Sequence, residues 1–169
     1  MNIKDRSYKT YMNRIGKEKI PCYEPLLGIF EINNLKKVID SGWLSEKNFT
    51  RKFEKLIAKF SKRKFSVAFT NATSALIVGM KSLNIKSGDE VIVPSFTHSA
   101  DPNSIASVGA KPIFAEVSKK SMCLTLDSIK EKITKKTKAI LYVAVYGNAD
   151  ELDKINIYLK RKKINLIVD

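Results

Sequence analysis

Three places in the chain carry residues able to do chemistry. The first is the stretch from Phe65 to Leu76, FSVAFTNATSAL, which reads as a short apolar strand, a polar turn and the first turn of a helix. At such a junction the first backbone N–H groups have no intrahelical acceptor, and the aligned peptide dipoles add partial positive charge. A phosphate is a natural occupant there. Ala72 and Thr73 would supply amides, and Thr73 and Ser74 hydroxyls. The plainer alternative is an ordinary helix cap, for which such residues are also the usual choice. The second place is His98, the only histidine, in PSFTHSADPN just after the apolar run EVIV. Its ring could stack on a flat heterocycle, although a lone loop histidine is more often a hydrogen-bonded surface residue. The third is Asp169, which ends the apolar run INLIV. A carboxylate at such a position is costly unless it faces a cation or a protonated nitrogen, or simply reaches water.

These residues need elements to hold them. From Lys64 onward, short apolar runs alternate with helical segments: FSVAF, TSALIVGMKSL, EVIVPSF, a short helix through 103–108, KPIFAEV, LDSIKEKI, AILYVAVY, a helix over about 150–161, and INLIVD. Strands separated by helices of this size imply crossover units and a mostly parallel sheet with helices on both faces. The helix over 73–83 is apolar almost all round and is expected to be buried. Ligands of open α/β sheets sit beyond the carboxyl ends of the strands. The segments to inspect are therefore 70–74, 94–103, 146–150 and Asp169. Upstream, GIFEINNLKKVIDSG spaces Phe30, Leu35, Val38 and Ile39 as a helix that stops at Gly42, and TRKFEKLIAKFSK spaces Phe53, Leu56, Ile57 and Phe60 along one helix face. The expected organisation is a polar N-terminal arm over 1–20, a helical segment over 21–63, and an α/β domain over 64–169 whose last strand has nothing after it to cover the sheet.

Composition narrows the function. A hydrophobic share of 44% in 169 residues is enough for one folded core. No apolar run approaches the roughly 18 residues that span a bilayer, and the polar start has no signal-peptide pattern, so a cytoplasmic location is expected. Cys22 and Cys123 stand far apart with no CxxC or neighbouring histidine, which gives neither a zinc site nor a disulfide framework. The net charge of +14 is one mark of nucleic-acid binding. The excess is nearly all lysine, however, and residues 88–110 contain no lysine or arginine, which fits a solvated basic surface better. Neither a GxGxxG fingerprint nor a GxxxxGK[ST] loop is present.

A phosphate cup, a flat ring beside it and a carboxylate facing a pyridinium nitrogen are what pyridoxal phosphate sites assemble. The motifs SGWL (41–44), FEKLIAKF (53–60), TNATSAL (70–76), GDEVIVPSFTHSA (88–100), GAKPIFAEV (109–117) and TKAILYVAVYGNADELDKI (137–155) occur in order. Together they make the chain resemble the N-terminal part of the pyridoxal-phosphate-dependent sugar aminotransferases of the DegT/DnrJ/EryC1/StrS family, over about residues 20–169. The resemblance implies a fold type I large domain. It places Ala72 and Thr73 at the cofactor phosphate, His98 where the family has a ring-stacking Phe, Tyr or Trp, and Asp169 at the pyridine nitrogen. It also implies a nucleotide-sugar substrate, glutamate as amino donor, and a homodimer in the full-length parent. Val168 stands where a Glu is common, and Asp101 where a Thr is usual.

The family's Schiff-base lysine is expected beyond the aspartate strand. None of this chain's lysines stands in a matching context, so it offers no catalytic residue. The expected activity is that of an N-terminal part of a keto-sugar nucleotide aminotransferase, inactive alone, in polysaccharide or glycoconjugate synthesis. The alternatives are a pyridoxal-phosphate sugar dehydratase of the same family, a non-catalytic fragment, and a basic nucleic-acid-binding protein.

Overall fold

The computed structural model describes residues 27–45 and 48–169. The expected arm over 1–20 and Cys22 lie outside them. The chain divides into two compact units at Ser66/Val67.

In the first unit, helix α1 spans Ile29–Asp40 and helix α2 spans Asn48–Phe60. The Glu31 carboxylate accepts the Gly28 N–H at 2.7 Å, which satisfies one of the amides left over at the start of α1. The helix stops where Gly42 takes φ 65°, a left-handed conformation that glycine adopts without steric cost. Within α2, the Arg51 guanidinium donates to Glu54 at 2.8 Å, and Glu54 is buried. The apolar residues whose spacing foretells the two helices stay largely open: Leu35 is 61% exposed and Phe60 87%.

The second unit is the α/β domain. Its elements run α3 (Ala72–Ser82), β1 (Glu90–Pro94), α4 (Ala100–Ser107), β2 (Lys111–Ala115), α5 (Leu126–Lys132), β3 (Thr137–Tyr142), α6 (Leu152–Lys162) and β4 (Asn165–Val168). The four strands form one sheet in the order β2-β1-β3-β4, all parallel. Alternation along the strands builds two cores. Val91, Val93, Ala139 and Leu141 pack with Leu76 and Met80 of α3 and Ile105 of α4. Ile92, Ile140 and Tyr142 point the other way and pack with Ile129 of α5 and Ile155 and Leu159 of α6. Both faces of β1 and β3 are therefore covered, as expected for a parallel sheet.

The topology positions the site. From β1 the chain crosses through α4 to β2 on one side, then returns through α5 to β3 on the other side of β1. The strand order thus reverses between β1 and β3. The loops leaving these two strands diverge there, which opens a crevice at their carboxyl ends.

Two expectations need correction. Residues 65–69, FSVAF, form neither strand nor helix, and Phe65 and Val67 stay exposed. The stretch has strand composition, but composition alone does not make a strand, and the sheet consists of the other four. Helix α3 is buried along one line only, at Leu76 and Met80, while Val78 is 47% exposed. Apolar composition all round a helix does not by itself supply neighbours on every side.

These burials predict a contrast between two substitutions in one helix. Met80→Ala empties a fully buried position and should cost about 2–5 kcal/mol. Val78→Ala should change stability by no more than about 0.5 kcal/mol. Equilibrium urea unfolding followed by far-ultraviolet circular dichroism measures both.

Candidate functional site

Helix α3 begins with an asparagine cap. Asn71 is extended, and its Oδ1 accepts the Ser74 N–H at 2.8 Å. That takes the third amide of the helix. The amides of Ala72 and Thr73 come before the first intrahelical acceptor and remain directed beyond the helix start. Ala72 is exposed and Thr73 half-buried, so an anion can reach them. The cap and the anion site therefore coexist, because they use different amides.

The crevice at the β1/β3 reversal is an open hollow of about 350 Å³. The loop after β1 contributes Phe96, Thr97 and His98, and the first turn of α4 contributes Asp101. The loop after β3 contributes Val143 to Tyr146, and β4 ends in it with Asp169. Asp169 is fixed through its backbone: its N–H donates to the Tyr142 carbonyl at 2.9 Å, and its carbonyl accepts the Ala144 N–H at 2.9 Å. The ladder between β3 and β4 thus continues one residue past β4 and sets the register of this carboxylate. His98 is exposed, and its Nδ1 accepts the Ala100 N–H at 3.1 Å. That bond steadies the ring and leaves Nε2 to carry the proton in the neutral form.

Asp101 sits in an altered environment. It is only 1% exposed, and the Thr97 hydroxyl donates to its Oδ2. Burial pushes its carboxyl above the ordinary value of 3.8; the Thr97 hydrogen bond opposes the rise, Asp169 adds to it and His98 counters it. On the other side of the hollow, the loop after β3 is tied down from below. The buried Tyr142 hydroxyl donates to the Asp150 carbonyl at 2.6 Å, and burial raises this phenol well above its usual range. Above that anchor the chain makes a short 3₁₀ turn, Val145–Gly147, in which Tyr146 has φ 52° and Gly147 φ 80°. Tyr146 is held in a left-handed conformation that a non-glycine residue adopts only at a cost.

The structure thus brings His98 and Asp169 together in one hollow. Ala72 and Thr73 stand at the start of α3 in the same unit and are not among the residues lining it. Sequence reasoning marked the loop segments but did not single out Thr97, Phe96 or the turn through Tyr146. It noted Asp101 only as an unusual residue. The rule that places ligands beyond strand ends was the available signal for all of them. Chemically, the hollow offers an acid and an imidazole to a flat nitrogen heterocycle, and α3 offers amides to an anion. Among the described residues no group of three or more His, Cys, Asp or Glu is placed to hold a metal ion, and no helix is long and apolar enough to cross a membrane.

A family model matches residues 26–169, and its description is the DegT/DnrJ/EryC1/StrS aminotransferase family. This chain is a member of that family. Among its relatives, GDP-perosamine synthase of Vibrio cholerae is 40% identical over 151 residues, covering 89% of this chain and 41% of the relative. The aminotransferase from Psychrobacter cryohalolentis superposes with a TM-score of 0.82 at 30% identity, over 88% of this chain and 38% of that one. GDP-4-keto-6-deoxy-D-mannose-3-dehydratase of E. coli, solved with bound hydrated PLP, gives a TM-score of 0.82 at 25% identity, over 89% of this chain and 40% of that one. The chain spans about two fifths of the length of the curated relatives it matches. The family and the α/β fold expected from the motifs are those found.

The buried Asp101 gives this aminotransferase-family chain a pH signature. Because the folded carboxyl holds its proton more tightly than the unfolded one, its contribution to stability is complete below 3.8 and is lost as pH rises through the folded value. Unfolding free energy measured against pH should therefore fall over that window. Asp101→Asn, which keeps an acceptor for Thr97 but does not titrate, should flatten the fall.

Proposed function

We propose that residues 64–169 form the cofactor-binding part of a pyridoxal-phosphate-dependent aminotransferase acting on a keto-sugar nucleotide in polysaccharide or glycoconjugate synthesis. The observation that carries this reading is the meeting of His98 and Asp169 in one hollow at the point where the strand order reverses. The residues suit the cofactor. Pyridoxal phosphate, when bound, supplies the electron sink that makes transfer of an amino group accessible. The Ala72 and Thr73 amides and the Thr73 hydroxyl would hold its phosphate, assisted by the dipole of α3. His98, with its Nδ1 already engaged by Ala100, would offer its ring to the flat face of the cofactor. The Asp169 carboxylate would pair with the ring nitrogen, and the β3–β4 ladder holds the Asp169 backbone in register.

The nucleotide-sugar substrate is supported by the Vibrio relative, whose name is that of a GDP-sugar synthase. Glutamate as donor, a homodimer in the full-length parent and a cytoplasmic location complete the proposal by family resemblance. Within residues 64–169 this reading assigns the binding and orientation of the cofactor. A second reading, a sugar dehydratase, is favoured by the E. coli dehydratase, whose superposition is as good as that of the aminotransferase.

Pyridoxamine 5'-phosphate is the appropriate probe, since it cannot react with surface lysines. Equilibrium dialysis should show binding to the chain. Charge-assisted hydrogen bonds contribute roughly 1.5–3 kcal/mol. Thr73→Ala should accordingly weaken affinity about ten-fold or more, at about 1.4 kcal/mol per decade. Thr73→Asp should weaken it further by setting like charge against the phosphate, and Lys81→Ala, in the last turn of α3, should change little. Unimpaired binding by Thr73→Asp would leave the start of α3 as a helix cap only.

In a separate assay, the isolated chain with added pyridoxal phosphate, glutamate and a panel of keto-sugar nucleotides should give no amino transfer above the cofactor-only rate. Clear turnover would refute the assignment of the chain as a binding part alone.

A further inference from the structure

We propose that the end of the sheet opposite the hollow docks onto an anionic phospholipid surface, through two lysine-rich runs that meet where β3 and β4 begin. In a parallel sheet with crossover helices, the carboxyl end of each helix lies near the amino end of the next strand. Here those ends are basic. Lys132 closes α5, Lys135 and Lys136 follow it, and Lys138 is the second residue of β3. Residues 160–163, KRKK, form the last turn and cap of α6. The ladder sets Ala139 opposite Asn165, and the Asn165 side chain donates to the Lys138 carbonyl at 3.2 Å, so the two runs come together. A second tie joins the helices: the Lys130 and Lys162 ammoniums each stand 5.9 Å from the centre of the Tyr158 ring. The cations of both runs are exposed, and none forms an ion pair with the described residues. Glu131 is the single acid within 130–138, and the Glu90 carboxylate at the start of β1 already accepts the Thr134 hydroxyl. The dipole of α6 accounts for cations in its last turn, but not for those beyond α5. Part of the lysine excess is therefore concentrated at one end of the sheet.

Such a pole attracts polyanions in general, and its side chains choose among them. Apart from Arg161 the cations are lysines, compact point charges without the planar fork that grips one phosphate in a fixed geometry. Tyr158 is half-buried with two ammoniums against its ring, which makes it a poor platform for stacked bases. Ile157, in contrast, is 55% exposed, on the same helix face as Lys160 and Arg161 three and four residues on. Cations beside an open apolar side chain suit a headgroup layer, where ammoniums meet phosphates and isoleucine meets the acyl boundary. Docking at the amino ends of the strands also leaves the hollow at their carboxyl ends facing away from the lipid. The docking is independent of what the hollow binds.

Co-sedimentation of the full chain with vesicles tests this. The chain should pellet with vesicles of phosphatidylcholine and phosphatidylglycerol in equal parts and not with phosphatidylcholine alone, and added salt should release it. Lys135→Gln, Lys136→Gln and Lys138→Gln combined should weaken binding about five-fold for each cation removed. The same loss of charge in α2, through Lys52→Gln, Lys55→Gln and Lys59→Gln, should change it little. Ile157→Ser should weaken vesicle binding and leave binding to a single-stranded RNA oligonucleotide unaltered. Far-ultraviolet circular dichroism checks that each variant is folded. Equal pelleting with uncharged vesicles, or an α2 variant as impaired as the β3 variant, overturns the pole as a docking surface. Binding to the RNA with no binding to the anionic vesicles overturns the lipid as its occupant.

Discussion

A parallel sheet covered on both faces has only its ends available for chemistry. In this chain β1 and β3 are packed above and below: Val91 and Leu141 meet α3 and α4, and Ile92 and Ile140 meet α5 and α6. The strands are closed in by the ladder between them and by the helices on both faces, so a ligand meets the domain where the strands stop. The reversal of strand order between β1 and β3 then decides which strand ends are open. The loops leaving the two strands run apart, and Thr97, His98, Asp101, Tyr146 and Asp169 are gathered in the gap. The placement of the candidate site is thus a consequence of topology before it is one of side-chain chemistry.

Within the gap the groups are held with different stiffness. Asp169 is set by two backbone hydrogen bonds that extend the β3–β4 ladder, so its position is as firm as the sheet. The loop after β3 is held from beneath by the Tyr142 hydroxyl and bent above it through Tyr146 and Gly147. His98 is steadied by one amide and otherwise open to solvent. A site of this kind has a fixed acid, an adaptable ring and a shaped wall. Such a gradient suits a ligand whose charged atom must be placed accurately while its flat face tolerates some freedom.

The anion donors at α3 obey a different constraint. A helix start leaves several amides unsatisfied, and Asn71 satisfies the third while Ala72 and Thr73 keep theirs. Separating the cap from the anion site means that the helix does not depend on a ligand to begin. Positive potential at α3 and acidic groups in the hollow are also complementary to a molecule that carries a phosphate at one end and a protonated nitrogen at the other.

Strand and helix order could be read from the chain because the signals are local. Alternation in EVIV and AILY, the turn residues between elements, and the spacing of Phe53, Leu56, Ile57 and Phe60 each lie within a few residues of one another. His98 and Asp169 could be nominated for a similar reason, since each follows an apolar run directly. That they face one hollow could not be read, because they lie 71 positions apart and meet only through the order of the strands. Asp101 shows the limit most clearly. In sequence it is one polar residue in a polar loop; its burial, its hydroxyl partner and its acidic neighbour come from β1, α4 and β4 closing around one point. The stretch FSVAF is the opposite case. Its local pattern asks for a strand, but strand formation is a pairwise event, and residues 65–69 are not one of the four strands of the sheet. Local periodicity fixes what a segment can be, whereas burial, charge state and pairing depend on neighbours that only the folded chain supplies.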